Sequence, residues 1–528
     1  MRMLYWLAIV GLTLWAFANP SASSAQAEFE VDTEVDAVDG DPGDGVCETG
    51  DGDCSLRSAI QEANALPSDD SIVIPEGIYV LTIPGTDDDS GQSGDLDVLG
   101  DVVITGAGSA ATVVDGGHAD RVFHVLPGVA VRMEGLTVRN GWATGPSGPS
   151  GEGGGIYNQG SLTAEDLDIF GNTAEFAGGG LSNPADATLK TSKIRGNVAP
   201  NGGAIGNSLG GADNRLAIID SVVADNRDDF GGSRGGIFVP TAITEIVRSS
   251  IVNNVGVGVM NGNERQLTIE ESTIANNVNA GRLGEDDGGA IAAIGPVIIR
   301  NATISGNSAN GHGGGITGGG PLTMNNVTLV NNVADADGNG DGNGGAIYWP
   351  DGPDRPEIAN SLIAGNSVVG GEAKAECYGL VISLGHNLFG SSTCSSPAPG
   401  DIVSDQTLIG PLADNGGPTQ THALLEGSPA IDAGNPVQPG SGGTACQPAD
   451  QRGVSRPRGN ACDIGAYESA FAQAAPTRTT APQEVPELGG RTQSRDSASL
   501  QALAAGAGGL ALAILGAQLT RRAFRERT

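Results

Sequence analysis

Hydrophobic positions along the chain follow a short alternation that breaks and resumes. In LTIEESTIANN, Leu267 and Ile269 alternate with Thr268, the pattern halts at Glu271, and Ile274 resumes it three residues before Asn277. Alternation with period two predicts half-buried strands, and the breaks predict corners between them. The phrase itself repeats. GGGIYNQGSLTAEDLDIFGN starts at Gly153, and it and seven further versions close on Asn172, Asn197, Asn226, Asn254, Asn277, Asn307, Asn332 and Asn366, spaced 23 to 34 residues apart. A period in the twenties that varies by a few residues predicts a solenoid with loop insertions on one face. None of the copies has the 3.6-residue period of a helical repeat. The expected fold is therefore all-β: a right-handed parallel β-helix whose inner positions are Ile, Val, Leu and Ala, with turns about 4.8 Å apart. Segments before Gly153, such as VVITGAG and RVFHVLPG, read as less regular turns.

The closing asparagines are expected to take the left-handed backbone of a tight corner and to bond to one another from turn to turn as an internal ladder. The Gly-Gly that opens each copy serves a sharp turn or a close approach between turns.

Composition fits this picture. Of 528 residues, 85 are glycine and 20 are aromatic, which disfavours several aromatic-rich cores and favours a repetitive folded chain. The formal charge of −35 argues against a nucleic-acid partner and leaves cations or a basic surface open. The ends predict export. Residues 1–27 read as a signal peptide, with apolar Leu4 to Phe17 followed by Ala25-Gln26-Ala27. Residues 28–99 form an N-terminal cap, 100–410 the β-helix, 411–469 a C-terminal region and 470–497 a flexible stalk. Residues 498–520 are expected to span a membrane, with 521–528 as a basic cytoplasmic tail. The exported body would then face the cell surface, anchored by a single C-terminal span.

Six cysteines in an exported chain predict disulfides. They fall into local couples, Cys47 with Cys54, Cys377 with Cys394 and Cys446 with Cys462, although six cysteines admit 15 pairings and only loop length favours this one. Zinc is disfavoured: no C-x-x-C occurs, and no histidine stands at ligand spacing.

The copies resemble the repeats of bacterial polymorphic outer membrane proteins. The G-G-[AI]-I mark stands at Gly202 to Ile205, Gly288 to Ile291 and Gly344 to Ile347, while the F-x-x-N mark carries Ile, Val or Leu for Phe. Cys54-Ser55-Leu56-Arg57-Ser58-Ala59-Ile60 resembles the CSLREA domain of bacterial surface proteins, with Ser58 in place of Glu. Asn415 to Thr419, Gly427 to Gly434, Asp450 to Gly453 and Cys462 to Glu468 resemble the choice-of-anchor Q domain. These resemblances imply an exported surface protein and bring no reaction with them.

Leu56, Ala59, Ile60 and Ala63 fall on one helical face, so Ser55 is expected to cap a short helix that lids one end of the solenoid. Ser58 is not expected to complete the reciprocal capping box that Glu would. The Cys446 region is expected to close the other end.

Two features offer chemistry. Asp335, Asp337, Asn339 and Asp341 alternate with small residues in a glycine-rich loop, a pattern suited to calcium. Aligning the copies on their closing Asn and reading six positions upstream gives the column Asp166, Thr191, Asp220, Arg248, Glu271, Asn301, Asn326, Asn360. Asp220, Arg248 and Glu271 would then neighbour one another. An acid, base, acid row suits a calcium-dependent polysaccharide lyase, and equally an ion-pair ladder facing solvent. No nucleophile-elbow or phosphate-loop motif occurs. The favoured function is an adhesive or structural rod that binds an extracellular polymer, polysaccharide or cell surface. The alternative is the lyase.

Overall fold

In the computed structural model, the described residues are 26–471, except 87, 146, 207–213, 230–233, 263–264, 282–287, 351, 371–375, 393 and 395–396. Residues 1–25 of the expected signal peptide and everything past 471, which takes in the expected span and tail and nearly all of the expected stalk, lie outside the described residues. Among the described residues no helix is long and apolar enough to cross a membrane.

The chain coils as a parallel β-solenoid. One face is an 11-stranded sheet running from Leu96–Val98 through Ile156–Asn158 to Cys377–Tyr378, every pairing parallel. At about 4.8 Å per turn this face is about 50 Å long. Two further faces follow in each turn, for example Asp186–Lys190 and Lys193–Arg195. Strict register stacks like on like: Ile169, Ile194, Val223, Ile251, Ile274, Ile304, Leu329 and Ile363 form one inward column, each fully buried. The strands Glu28–Glu30 and Asp70–Ile74 stack in the same way on Val102–Gly106, so the segment before residue 100 contributes turns of its own as well as a cap.

Two of the corners use the left-handed region in every one of the eight copies. At the first, Asp166, Thr191, Asp220, Arg248, Glu271, Asn301, Asn326 and Asn360 all have φ between 45° and 56°. At the second, Gly171, Gly196, Asp225, Asn253, Asn276, Gly306, Asn331 and Gly365 lie between 56° and 68°. The closing asparagines thus stand one residue beyond the left-handed position, a correction to the expectation above. Freed from making the corner, their side chains point inward. The amide of each donates to the next, from Asn172 to Asn366, at 2.9–3.0 Å. The ladder ends on Glu376, whose carboxylate accepts from Asn366 Nδ2 at 2.8 Å. A second ladder runs just past the first corner, where the backbone N–H groups of Ser192, Ser221 and Ser249 donate to the hydroxyls of Ser221, Ser249 and Ser272. The paired glycines act through close approach: a Cβ on Gly179 would lie 2.5 Å from Val198 O in the next turn.

Helix α1, Leu56–Ala65, lies against the first turns with Leu56, Ala59, Ile60 and Ala63 buried. The capping box is complete, contrary to expectation. Ser58 N donates to Ser55 Oγ at 3.0 Å and Ser55 N to Ser58 Oγ at 2.8 Å, because the serine hydroxyl reaches the cap directly where Glu would reach back along a longer stem. Arg57 is 1% exposed, paired with Asp36 at 2.7 Å and donating to the carbonyls of Gly91, Gly94 and Asp95. The three local disulfides are formed as the loop-length argument favoured.

The Cys446 region lies along the flank of the solenoid, which corrects its expected place at the end. Ala445 O accepts from Asn325 Nδ2 and Gln447 N donates to Asn326 Oδ1, both at 2.8 Å. The corner asparagines supply amides that the solenoid leaves over, and the C-terminal segment satisfies them. Its own frame is a buried charge network in which Arg456 pairs with Glu468 at 3.2 Å and Arg452 with Asp450 at 2.6 Å. An antiparallel hairpin, Ile409–Ala413 with Thr421–Leu424, continues this cover.

Candidate functional site

Asp220, Arg248 and Glu271 are brought together as the column predicted. The corner N–H groups of all three donate across to the following turn, Asp220 N to Val247 O, Arg248 N to Glu270 O and Glu271 N to Arg300 O, which fixes the register. Arg248 Nε and a terminal nitrogen each sit 2.7 Å from the two carboxylate oxygens of Asp220. This is a bidentate pair on the surface, with both side chains more than a third exposed. The hydrogen bonds to Arg248 pull the Asp220 carboxyl below its ordinary range, and those to Asp220 hold the guanidinium further above its own. Glu271 shifts the other way. Burial raises its carboxyl, and the attraction of Arg248 only partly offsets this.

An arginine held along one edge of its guanidinium by a bidentate carboxylate is poorly suited to act as a base. Proton abstraction would require breaking the pair and deprotonating a guanidinium that the pair stabilises.

In the loop expected to hold calcium, the side-chain oxygens of Asp335, Asp337 and Asn339 accept local hydrogen bonds. Asp335 is 1% exposed, has φ 53°, and accepts from Gly340 N with both carboxylate oxygens. Asp337 accepts from the side chain of Asn339 at 3.0 Å, and Asn339 Oδ1 from Asp341 N at 2.8 Å. These are turn-closing bonds within an exposed loop. Asp335, Asp337 and Asp341 do not gather their carboxylates. Among the described residues, the acid and histidine side chains that do so are Asp89, Asp97 and His124, within 4.8 Å. There His124 Nδ1 lies 3.0 Å from Asp97 and Nε2 3.1 Å from Gln159 Oε1, so both ring nitrogens already face acceptors.

A third location escaped the sequence reading. Under the C-terminal hairpin, against the second corner of the solenoid, lies a cleft of about 820 Å³ lined by Asn276, Ser305, Asn331, Gln420 and His422 among others. Ser305 Oγ is 2.8 Å from His422 Nε2, and His422 Nδ1 is 2.8 Å from Gly410 O. The signal for Ser305 lay in the repeat alignment. After Phe170 and Arg195 in the earlier turns, its outward column otherwise reads Ala224, Val252, Ala275, Val330 and Ala364. His422 carried no periodic signal.

No family model and no curated protein matches the chain. Among solved structures it is similar to a pectate lyase, Pel9A, with a TM-score of 0.41 and 15% identity over 85% of this chain and 97% of that one. It is also similar to a rhamnogalacturonan lyase, with a TM-score of 0.32 and 14% identity over 76% of this chain and 96% of that one.

Proposed function

We propose that the chain is an exported, membrane-tethered surface rod whose body is adhesive or structural and binds an extracellular polymer, a polysaccharide or a cell surface. The observation that carries this reading is the closed Asp220–Arg248 pair, bidentate at 2.7 Å, in the row that was the best candidate for lyase chemistry. With that row serving as a surface ion pair, a calcium-dependent polysaccharide lyase has less support. The CSLREA-like helix packs on the first turns and the choice-of-anchor Q-like region along the flank of the same solenoid, so that both belong to one body. The tether rests on the apolar run at 498–520 and the arginines that follow it.

The test is to incubate the full chain, with calcium, against a panel of acidic and neutral polysaccharides and against whole cells. Binding to cells or to a polymer without new unsaturated ends is the expected result. Unsaturated ends that vanish in Arg248→Ala would reverse the choice and make Asp220, Arg248 and Glu271 a catalytic row.

A further inference from the structure

We propose that Ser305 and His422 form a nucleophile and base pair that hydrolyses short acyl esters in the cleft beneath the hairpin, an activity beyond the binding role. The argument begins with protonation. Gly410 O can only accept, so the 2.8 Å contact assigns the imidazole proton to Nδ1. Nε2 is left with its lone pair toward Ser305 Oγ, 2.8 Å away, and the hydroxyl must donate to it. This is the ground state in which a histidine can take a serine's proton, with a carbonyl fixing the ring from behind. Burial supports it, holding the imidazole below its ordinary value and so neutral at neutral pH.

Placement agrees with this. Ser305 ends the strand Thr303–Ser305, and Gly306 turns the chain sharply at φ 68° immediately after it. On both sides in the register the column holds only small apolar residues, Ala275 and Val330. The corners of the two adjoining turns carry Asn276 and Asn331, whose amides line the same cleft and can donate to a carbonyl oxygen as it gains charge. A volume of about 820 Å³ suits a small molecule. Asp405 and Gln420 make the wall polar, with Ile409 and Leu412 as its apolar part, which fits a short acyl group on a sugar or other polyol.

The chemistry balances with water as the only co-reactant. Ser305 Oγ bonds to the ester carbonyl carbon as its proton passes to His422 Nε2. The carbon–oxygen bond to the alcohol then breaks, and the alcohol departs with that proton. Water adds to the acyl-serine through the same base, releasing the carboxylic acid and restoring Ser305.

A purely docking contact would have the same 2.8 Å distance, so the test must read reactivity. The full chain is treated with a fluorophosphonate probe and digested, and the adduct is located by mass spectrometry. In parallel, p-nitrophenyl acetate turnover is measured. An adduct on Ser305 is expected, together with turnover that falls about 10²-fold or more in Ser305→Ala. That variant should fold, since alanine occupies the equivalent position at Ala275 and Ala364. His422→Gln keeps a hydrogen-bond partner for Ser305 but removes the base, and it should lose the adduct while keeping the parent's denaturation midpoint. Absence of the adduct or of turnover in the parent would overturn the proposal, as would an adduct formed at the parent's rate in His422→Gln.

Discussion

Two halves of one corner bend alike and meet different surroundings. From Asp220 to Glu271 the first corner carries charged residues, with Asp220 and Arg248 more than a third exposed. From Asn301 to Asn360 the same corner carries asparagine, with Asn301 5% exposed and Asn326 and Asn360 fully covered. The backbone does not distinguish them, since φ stays between 45° and 56° throughout. The cover does. Asn301 Nδ2 donates to Ala449 O and Asn360 Nδ2 to Thr444 O, while Asn360 Oδ1 accepts from Asn435 N. A charge buried against backbone carbonyls would be costly, whereas an amide both donates and accepts there. The switch in residue type thus follows the edge of the C-terminal region. Glu271 sits at that edge, with Thr419 Oγ1 donating to its carbonyl at 3.1 Å.

The strongest way to break the comparison is to put a charge into the covered half. Asp tolerates the left-handed backbone as Asn does, so Asn326→Asp isolates the electrostatic cost. Its second oxygen would face the carbonyls of Asp463 and Gly465, which now accept from Asn326 Nδ2. The expected loss is about 3 kcal/mol or more at neutral pH, read as a lower urea midpoint and partly recovered in acid as the carboxyl protonates. The reverse exchange in the open half, Asp220→Asn, should change the stability by less than about 1 kcal/mol. Equal losses at the two positions would mean that the cover is not what separates them.

Much of this was legible in the residues. The spacing from Asn172 to Asn366 announced the solenoid and its amide ladder, because a ladder demands the same residue at every turn. The serine ladder was equally present, in the Ser that follows Thr191, Asp220, Arg248 and Glu271. It passed unread because a serine beside a corner is also the commonest turn residue. The lateral cover could not be read, since its bonds join residues such as Gln451 and Thr303, 148 positions apart, with no shared period. The Ser305–His422 contact shares that property. Half of it was a break in a column, and the other half was invisible until the hairpin met the flank.

The edge of the cover sharpens the comparison through pH. Burial raises the Glu271 carboxyl above its unfolded value, so the fold binds a proton that the unfolded chain has released. Stability from this group is full in acid and is lost as pH rises from the ordinary value through the raised one. Glu271→Gln should therefore exceed the parent in stability at neutral pH and converge with it in acid. Denaturation midpoints measured across that range check this, and a gap that widens toward acid would contradict the assignment.

The smallest effect belongs to the open pair itself. Asp220 is pulled below its ordinary value by Arg248, so its contribution has the opposite sign, present above the ordinary carboxylate range and lost as pH falls through the depressed value. Exposure limits its size. Two exposed charges already surrounded by water gain little by meeting, and salt screens what they gain. A double-mutant cycle of Asp220→Ala and Arg248→Ala should give a coupling of under about 1 kcal/mol that declines further at high salt. The bidentate geometry favours the upper part of that range over zero. A coupling of several kcal/mol that persists in salt would mean that the open half is shielded from water much as the asparagine half is, and that the two halves differ in something other than cover.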